Sequence, residues 1–178
     1  MTDDRERGAA LVEFALIFTF LLMLSLGAFE YGMAFRDWLS VSAATREGVR
    51  VASAAGDTPG ADCVILEATA GALRAISNGE IAEVWIYKSD TTGAVTARQQ
   101  RYRPALPSDD PATLQCNTWY PIMLAWPESS RDNDGGTRDW VGVRVRFDHE
   151  WITNFLWWNG SVRWTDDAVM HLEPAMPS

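Results

Sequence analysis

A carboxylate, Glu13, interrupts almost at its start an apolar run that begins RGAALVEFALIF at residues 7–18 and continues to about Phe35. An ionised carboxylate at membrane depth is costly unless it finds a cation or reaches water, so this position asks for a partner. Elsewhere, Asp148-His149-Glu150 gathers two acids and an imidazole. Neighbours on a strand point to opposite faces and no motif supplies a nucleophile, so no catalytic residue and no enzyme activity are expected. In RDNDGGTRD, residues 131–139, Asp132, Asn133 and Asp134 precede two glycines, but Val143 stands where a calcium loop needs its bidentate Glu. A hairpin turn is the expectation there. Two cysteines, Cys63 and Cys116, and two distant histidines are too few for a zinc site. No glycine-rich phosphate loop follows a strand, and no cofactor is expected.

The 178-residue chain has a formal net charge of -9 and one lysine, Lys88. Nucleic acid is therefore not an expected partner, because phosphate contacts need clustered Lys and Arg. Among nine tryptophans, Trp151, Trp157, Trp158 and Trp164 crowd one stretch around WITNFLWW. Such a cluster either fills the core of a small domain or presents Trp151, Phe155, Trp157 and Trp158 as a candidate partner surface.

These residues must be held by elements that the sequence also outlines. From Ala9 to Phe35 the only charges are Glu13 and Glu30, and the stretch exceeds the roughly 20 residues that a bilayer core requires. A transmembrane part is expected over about residues 11–35. No proline occurs between Met1 and Pro59, so nothing obliges the helix to stop at the membrane surface. Val41, Ala44, Gly48, Val51 and Ala55 then repeat at steps of three and four, one small-residue stripe on a helix. A helix over 9–55 is about 70 Å long, and its outer half needs a soluble domain or another subunit beside it. Glu30 lies about 100° around the helix from Glu13 and is expected to mark the outer boundary. Ala28 and Gly32, four apart, offer a small surface for close helix packing in lipid.

Past Pro59 the composition is that of a soluble head, residues 56–178. Asp62 is expected to cap a second helix over 63–77, ended by Asn78-Gly79. IAEVWIYK, residues 81–88, and residues 95–102 read as a hairpin turning at 90–93. Residues 103–118, with three prolines, read as loop. WVGVRVRFD, residues 140–148, alternates strictly, with Val141, Val143, Val145 and Phe147 on one side and Arg144 and Arg146 on the other. Residues 161–172 form a last strand. The expected fold is α+β, a long N-terminal helix followed by a small antiparallel-sheet head with one further helix. Outside the cytosol, Cys63 and Cys116 are expected to form a disulfide; inside it they would be two buried thiols.

The residues alone leave the N-terminus open between a secretory signal cut before Ala28 and a plain anchor with Glu13 at interface depth. A third arrangement, glycine, four residues, then Glu-Phe at the head of an apolar helix, resembles the processing site of type IV prepilin-like proteins. The whole segment from Arg7 to Gly56 resembles the N-terminal module of the TadE-like family of the Flp (Tad) pilus system, whose members are pseudopilins or minor pilins. AVMHLEP, residues 168–174, resembles the end of such proteins, with Glu173-Pro174 in the family's Glu-Pro position.

The resemblance implies a cytoplasmic leader, residues 1–8, removed between Gly8 and Ala9 by a prepilin peptidase. Glu13 and Phe14 then become the fifth and sixth residues, and Glu13 can pair with the new Ala9 ammonium about 6 Å away along the axis, in its own chain or the next. The implied partners are the peptidase, other pilin-like subunits of the Flp/Tad system and membrane lipid. The implied location is the bacterial inner membrane, N-in and C-out, with incorporation into an extracellular pilus as one fate. The alternative is a membrane-anchored extracytoplasmic binding or adaptor module.

Overall fold

The computed structural model of the chain describes residues 2–74, 76, 79–134, 136–153 and 158–174. Helix α1, Thr2–Ala55, is unbroken, as the absence of proline allows. It is followed by α2 (Ala61–Leu73) and strands β1 (Gly79–Ser89), β2 (Val95–Pro104), β3 (Trp119–Leu124), β4 (Trp140–Glu150) and β5 (Ser161–His171). The strands form one antiparallel sheet in the order β3-β2-β1-β4-β5. The layout is α+β.

The start of α2 differs from the expectation that Asp62 caps it. The cap position is Gly60 and the helix begins at Ala61. Glu128, brought in from the loop after β3, accepts the Gly60 and Asp62 backbone N–H groups at 2.8 and 2.7 Å, neutralising exposed donors that a helix start always leaves. Freed from capping, the Asp62 carboxylate turns inward. It meets the buried Arg131 guanidinium and accepts the Tyr102 hydroxyl at 2.6 Å. The helix ends at Leu73, and the expected stop at Asn78 lies outside the described residues.

RDNDGGTRD is likewise not a hairpin turn. It joins β3 at one edge to β4, and β2 and β1 lie between them. Along the way it delivers Arg131 to Asp62 and Asn133 to Asp57, the latter at 2.8 Å. The edge strand β3 was hidden in sequence by its proline and its exposed Ile122, Met123 and Leu124.

Both helices pack on one face of the sheet. Val41, Ala44 and Ala52 of α1 and Ile65 and Leu66 of α2 meet Val84 and Ile86 of β1 and Val141, Val143, Val145 and Phe147 of β4. This is the face that the β4 alternation assigns to the interior. On the opposite face Trp85 is covered by the Arg101 and Arg146 guanidinium groups, 4.3 and 4.2 Å from its ring centroid. Cys63 of α2 and Cys116 in the loop before β3 form a disulfide. On a chain-entropy model, closing a loop of this length stabilises the head by about 4 kcal/mol.

Gly48 is where α1, α2 and the sheet converge. A Cβ there would lie 2.3 Å from the Thr69 hydroxyl and 3.1 Å from Val143. Gly48→Leu is expected to destabilise the head by about 1–3 kcal/mol through overpacking, seen as a lower urea midpoint for the full chain in detergent. An unchanged midpoint would show that the three elements can separate at no cost.

Candidate functional site

The candidate site is α1 below and beside the head. Gly8, Ala9, Glu13 and Phe14 lie on the first part of the helix with their side chains exposed. Glu13 is one turn above Ala9, and the Phe14 ring stacks on Phe18 with centroids 5.7 Å apart. Leu11, Leu16, Phe18, Phe20 and Leu24 are exposed around the helix. Thr19 and Ser25 return their hydroxyl protons to the Ala15 and Leu21 carbonyls at 2.7 and 2.8 Å. Every polar side chain between Phe14 and Ser25 is thereby satisfied within the helix, the condition for immersion in hydrocarbon. The helix is long and apolar enough to cross a membrane.

At Gly27 the surroundings of α1 change. The Trp158 ring lies so close that a Cβ on Gly27 would be 3.0 Å from it, and from here one face of the helix is covered by the head. Gly27, Glu30, Ala34, Asp37 and Val41 are buried in turn at steps of three and four, continuing the small-residue stripe downward. Glu30 is completely buried and accepts the backbone N–H groups of Ile152 and Thr153, just after β4, at 3.2 and 2.5 Å. Expected to mark the outer boundary, this carboxylate also holds the head to the helix. Two turns above it, Asp37 meets His149 Nδ1 at 3.0 Å, with both side chains fully buried.

Aromatic rings pack around these acids. His149 stacks on Trp164 at 4.7 Å and meets Trp151 edge-on at 5.3 Å. Tyr31 sits edge-on to both Trp151 and Trp158, at 6.1 and 6.2 Å. Of the candidate partner surface, Trp158 is only 7% exposed and Trp151 is half-buried against α1; Phe155 and Trp157 lie outside the described residues. The imidazole of Asp148-His149-Glu150 is fully buried against Asp37, Trp151 and Trp164. Asp148 points elsewhere, bound by Arg163 at 2.7 and 2.6 Å, which holds its carboxyl below the usual carboxylate range. Ala28 and Gly32 are on the helix face left exposed, and a Cβ on Gly32 would touch nothing.

The attachment makes a direct prediction. Glu30→Ala leaves two backbone donors without their charged acceptor, a loss of roughly 1–3 kcal/mol. Hydrogen exchange at Ile152 and Thr153 is expected to accelerate, with a smaller effect for Glu30→Gln, which keeps one acceptor oxygen. Unchanged exchange would mean that these contacts do not hold the head.

Residues 8–50 match the sequence profile of the family described as TadE-like protein, the family that the N-terminal sequence resembles. The matched segment starts at Gly8 and lies wholly within α1; the head, including residues 168–174, lies outside it. No curated protein and no solved structure matches the chain.

Proposed function

With the family match of residues 8–50 as premise, we propose that this is a pilin-like, single-pass membrane protein that contributes to assembly or initiation of a Flp/Tad-type pilus. Residues 1–8 are its cytoplasmic leader, a prepilin peptidase cuts between Gly8 and Ala9, and the head stands outside the bacterial inner membrane. The observation that carries this reading is the coincidence of three features at one point. The family match begins at Gly8, the apolar exposed surface of α1 begins beside it, and Glu13 is the one charge within that surface. The disulfide between Cys63 and Cys116 supports the orientation, since such bonds persist in oxidising compartments.

The membrane part is proposed to lie lower than the composition alone indicates. From Gly27 upward one helix face packs on the head, so the span is Ala9 to Leu26, about 27 Å of helix against a hydrocarbon core of about 30 Å. Ala28 and Gly32 then lie near the head-side interface, where another pilin-like subunit can approach the uncovered face. Residues 56–178 form the head and are the part offered to extracytoplasmic partners.

Sequencing the N-terminus of the protein recovered from host membranes tests the reading. Ala9 is the expected first residue. An intact Met1 or Thr2 would favour a plain anchored binding module, and Ala28 a secreted protein.

A further inference from the structure

The sheet ends in two unlike edges. β3 is six residues long, contains Pro121, shifts register against β2, and has the Trp119 N–H and C=O taken by Gln115. Shortness, proline and irregular pairing are the usual guards of an edge. β5 has none of them: its eleven residues include no proline or glycine and pair with β4 without a bulge. Gly160 and Leu172, at its two ends, turn their backbone groups to the β4 side, whereas His171 and Glu173 turn theirs away, to Ser53 of α1. By that alternation the N–H and C=O groups of Ser161, Arg163, Thr165, Asp167 and Val169 point outward. Among the described residues none of these groups finds a partner on that side.

Charge decides what fits this edge. Across β4, Arg163 lies opposite Asp148 and Asp167 opposite Arg144, at 2.6 and 3.2 Å. A second β5 laid antiparallel and centred on Thr165 sets Arg163 against Asp167 of the second copy, and Asp167 against its Arg163. The row across the joined sheets then reads Asp148, Arg163, Asp167, Arg144, with the sign alternating from strand to strand. Opposite charges facing across strands stabilise a pair and like charges oppose it. Centred on Trp164 instead, Arg163 faces Thr165 and the ion pairs are lost; centred on Asp166, that carboxylate faces itself. The edge is thus complementary to itself in one register.

We propose that the outer edge of β5 is a self-association site for β5 of a second copy, antiparallel about Thr165, and that anchoring in a single bilayer keeps it open. The last step rests on the proposed membrane span. Asp37 meets His149, which faces Val162 near the start of β5, and Ser53 meets His171 at its end. α1 and β5 therefore run the same way. Antiparallel β5 strands oblige antiparallel α1 helices, with their apolar ends at opposite extremes of the dimer. Copies inserted alike in one bilayer have parallel strands, and copies inserted oppositely have heads on opposite sides. The bilayer supplies the guard that the sequence of β5 omits.

Thr165→Cys in the full chain tests this. At the centre of the dimer two such residues have Cα atoms about 5.5 Å apart, within reach of a disulfide, whereas two Arg163→Cys residues are about 13 Å apart. In detergent, copper-phenanthroline oxidation is expected to cross-link most of the Thr165→Cys protein and little of Arg163→Cys. Thr165→Pro removes an outward N–H without touching the β4 ladder; light scattering should show it monomeric where the parent chain is dimeric, with the urea midpoint little changed. In intact cells the Thr165→Cys protein should stay uncross-linked. A monomeric parent chain in detergent, or equal cross-linking at the two positions, would overturn the self-association. Dimers in intact cells would overturn the guarding by the bilayer. Release of the protein from membranes by alkaline carbonate would refute the span, and the guard with it, while the detergent measurement still decides the edge.

Discussion

Replacing Arg131 by methionine is expected to cost the head about 3–5 kcal/mol, because it strands the Asp62 carboxylate in the interior. Arg131 is fully buried and Asp62 nearly so. The guanidinium meets Asp62, donates to the Gly56 carbonyl at 3.4 Å and lies 5.0 Å from the Trp126 ring centroid. Without it, Asp62 keeps the Tyr102 hydroxyl at 2.6 Å and the more distant Gln100 amide, neither of which carries a charge. Burial and the nearby carboxylate already push the Tyr102 phenol well above its usual range, so it stays a donor and cannot be the anion. The damage should extend past the pair, since the same loop carries Glu128, which caps α2. Urea unfolding of the full chain in detergent, followed by tryptophan fluorescence, measures the loss. The double variant Arg131→Met with Asp62→Asn should recover a large part of it, because removing both charges avoids the stranded one. A single-variant loss below about 1 kcal/mol, the range of an exposed ion pair, would mean that water reaches Asp62.

How these groups come together was only partly legible in the sequence. The long helix was, because a proline-free apolar stretch followed by a stripe of small residues has few other solutions. Strand β4 was too, since strict alternation sets both its existence and its buried face. The same parity that turns Val141, Val143, Val145 and Phe147 inward extends to His149, so its burial could be read from the pattern. Its partner could not, because Asp37 is more than a hundred residues away. Glu30 and Asp37, seven apart, fall on one helical face, which marks two acids for a shared environment without saying what covers them. Glu128 and Arg131 gave no local signal at all. Both sit in a polar connection whose role depends on β3 pairing at the far edge of the sheet, and β3 itself lacks a clean alternation. The Trp-rich stretch was ambiguous for a simpler reason: composition cannot tell an indole facing a helix from one facing solvent. Trp158 faces Gly27, and only the packing decides it.

At the membrane end, the largest effect is expected from two substitutions that should separate processing from assembly. Gly8 sits within the helical backbone of α1, and a protease acting there has to unwind the chain locally. Glycine lowers that cost, since it is less stable in a helix than alanine by roughly 0.5–1 kcal/mol, and a Cβ added at Gly8 would touch nothing. Gly8→Val should therefore leave the fold intact and abolish cleavage, read as a full-length band and an unchanged Met1 or Thr2 terminus. On the proposed function, Glu13 acts only after the cut. The Ala9 ammonium does not exist in the uncut chain, and at about 6 Å a unit-charge pair in an effective dielectric near 20 is worth about 3 kcal/mol, or roughly two orders of magnitude in an equilibrium. Glu13→Ala should accordingly be cut normally and lose most of its incorporation into assembled complexes, measured by co-isolation with the other pilin-like subunits. Glu13→Gln should behave like Ala, because the shape is kept and the charge is not. Recovery by Gln would make Glu13 a hydrogen-bonding residue, and normal assembly with Ala would remove the charge pair from the mechanism altogether. Loss of cleavage in Glu13→Ala would place this carboxylate in recognition by the peptidase, before any ammonium has formed.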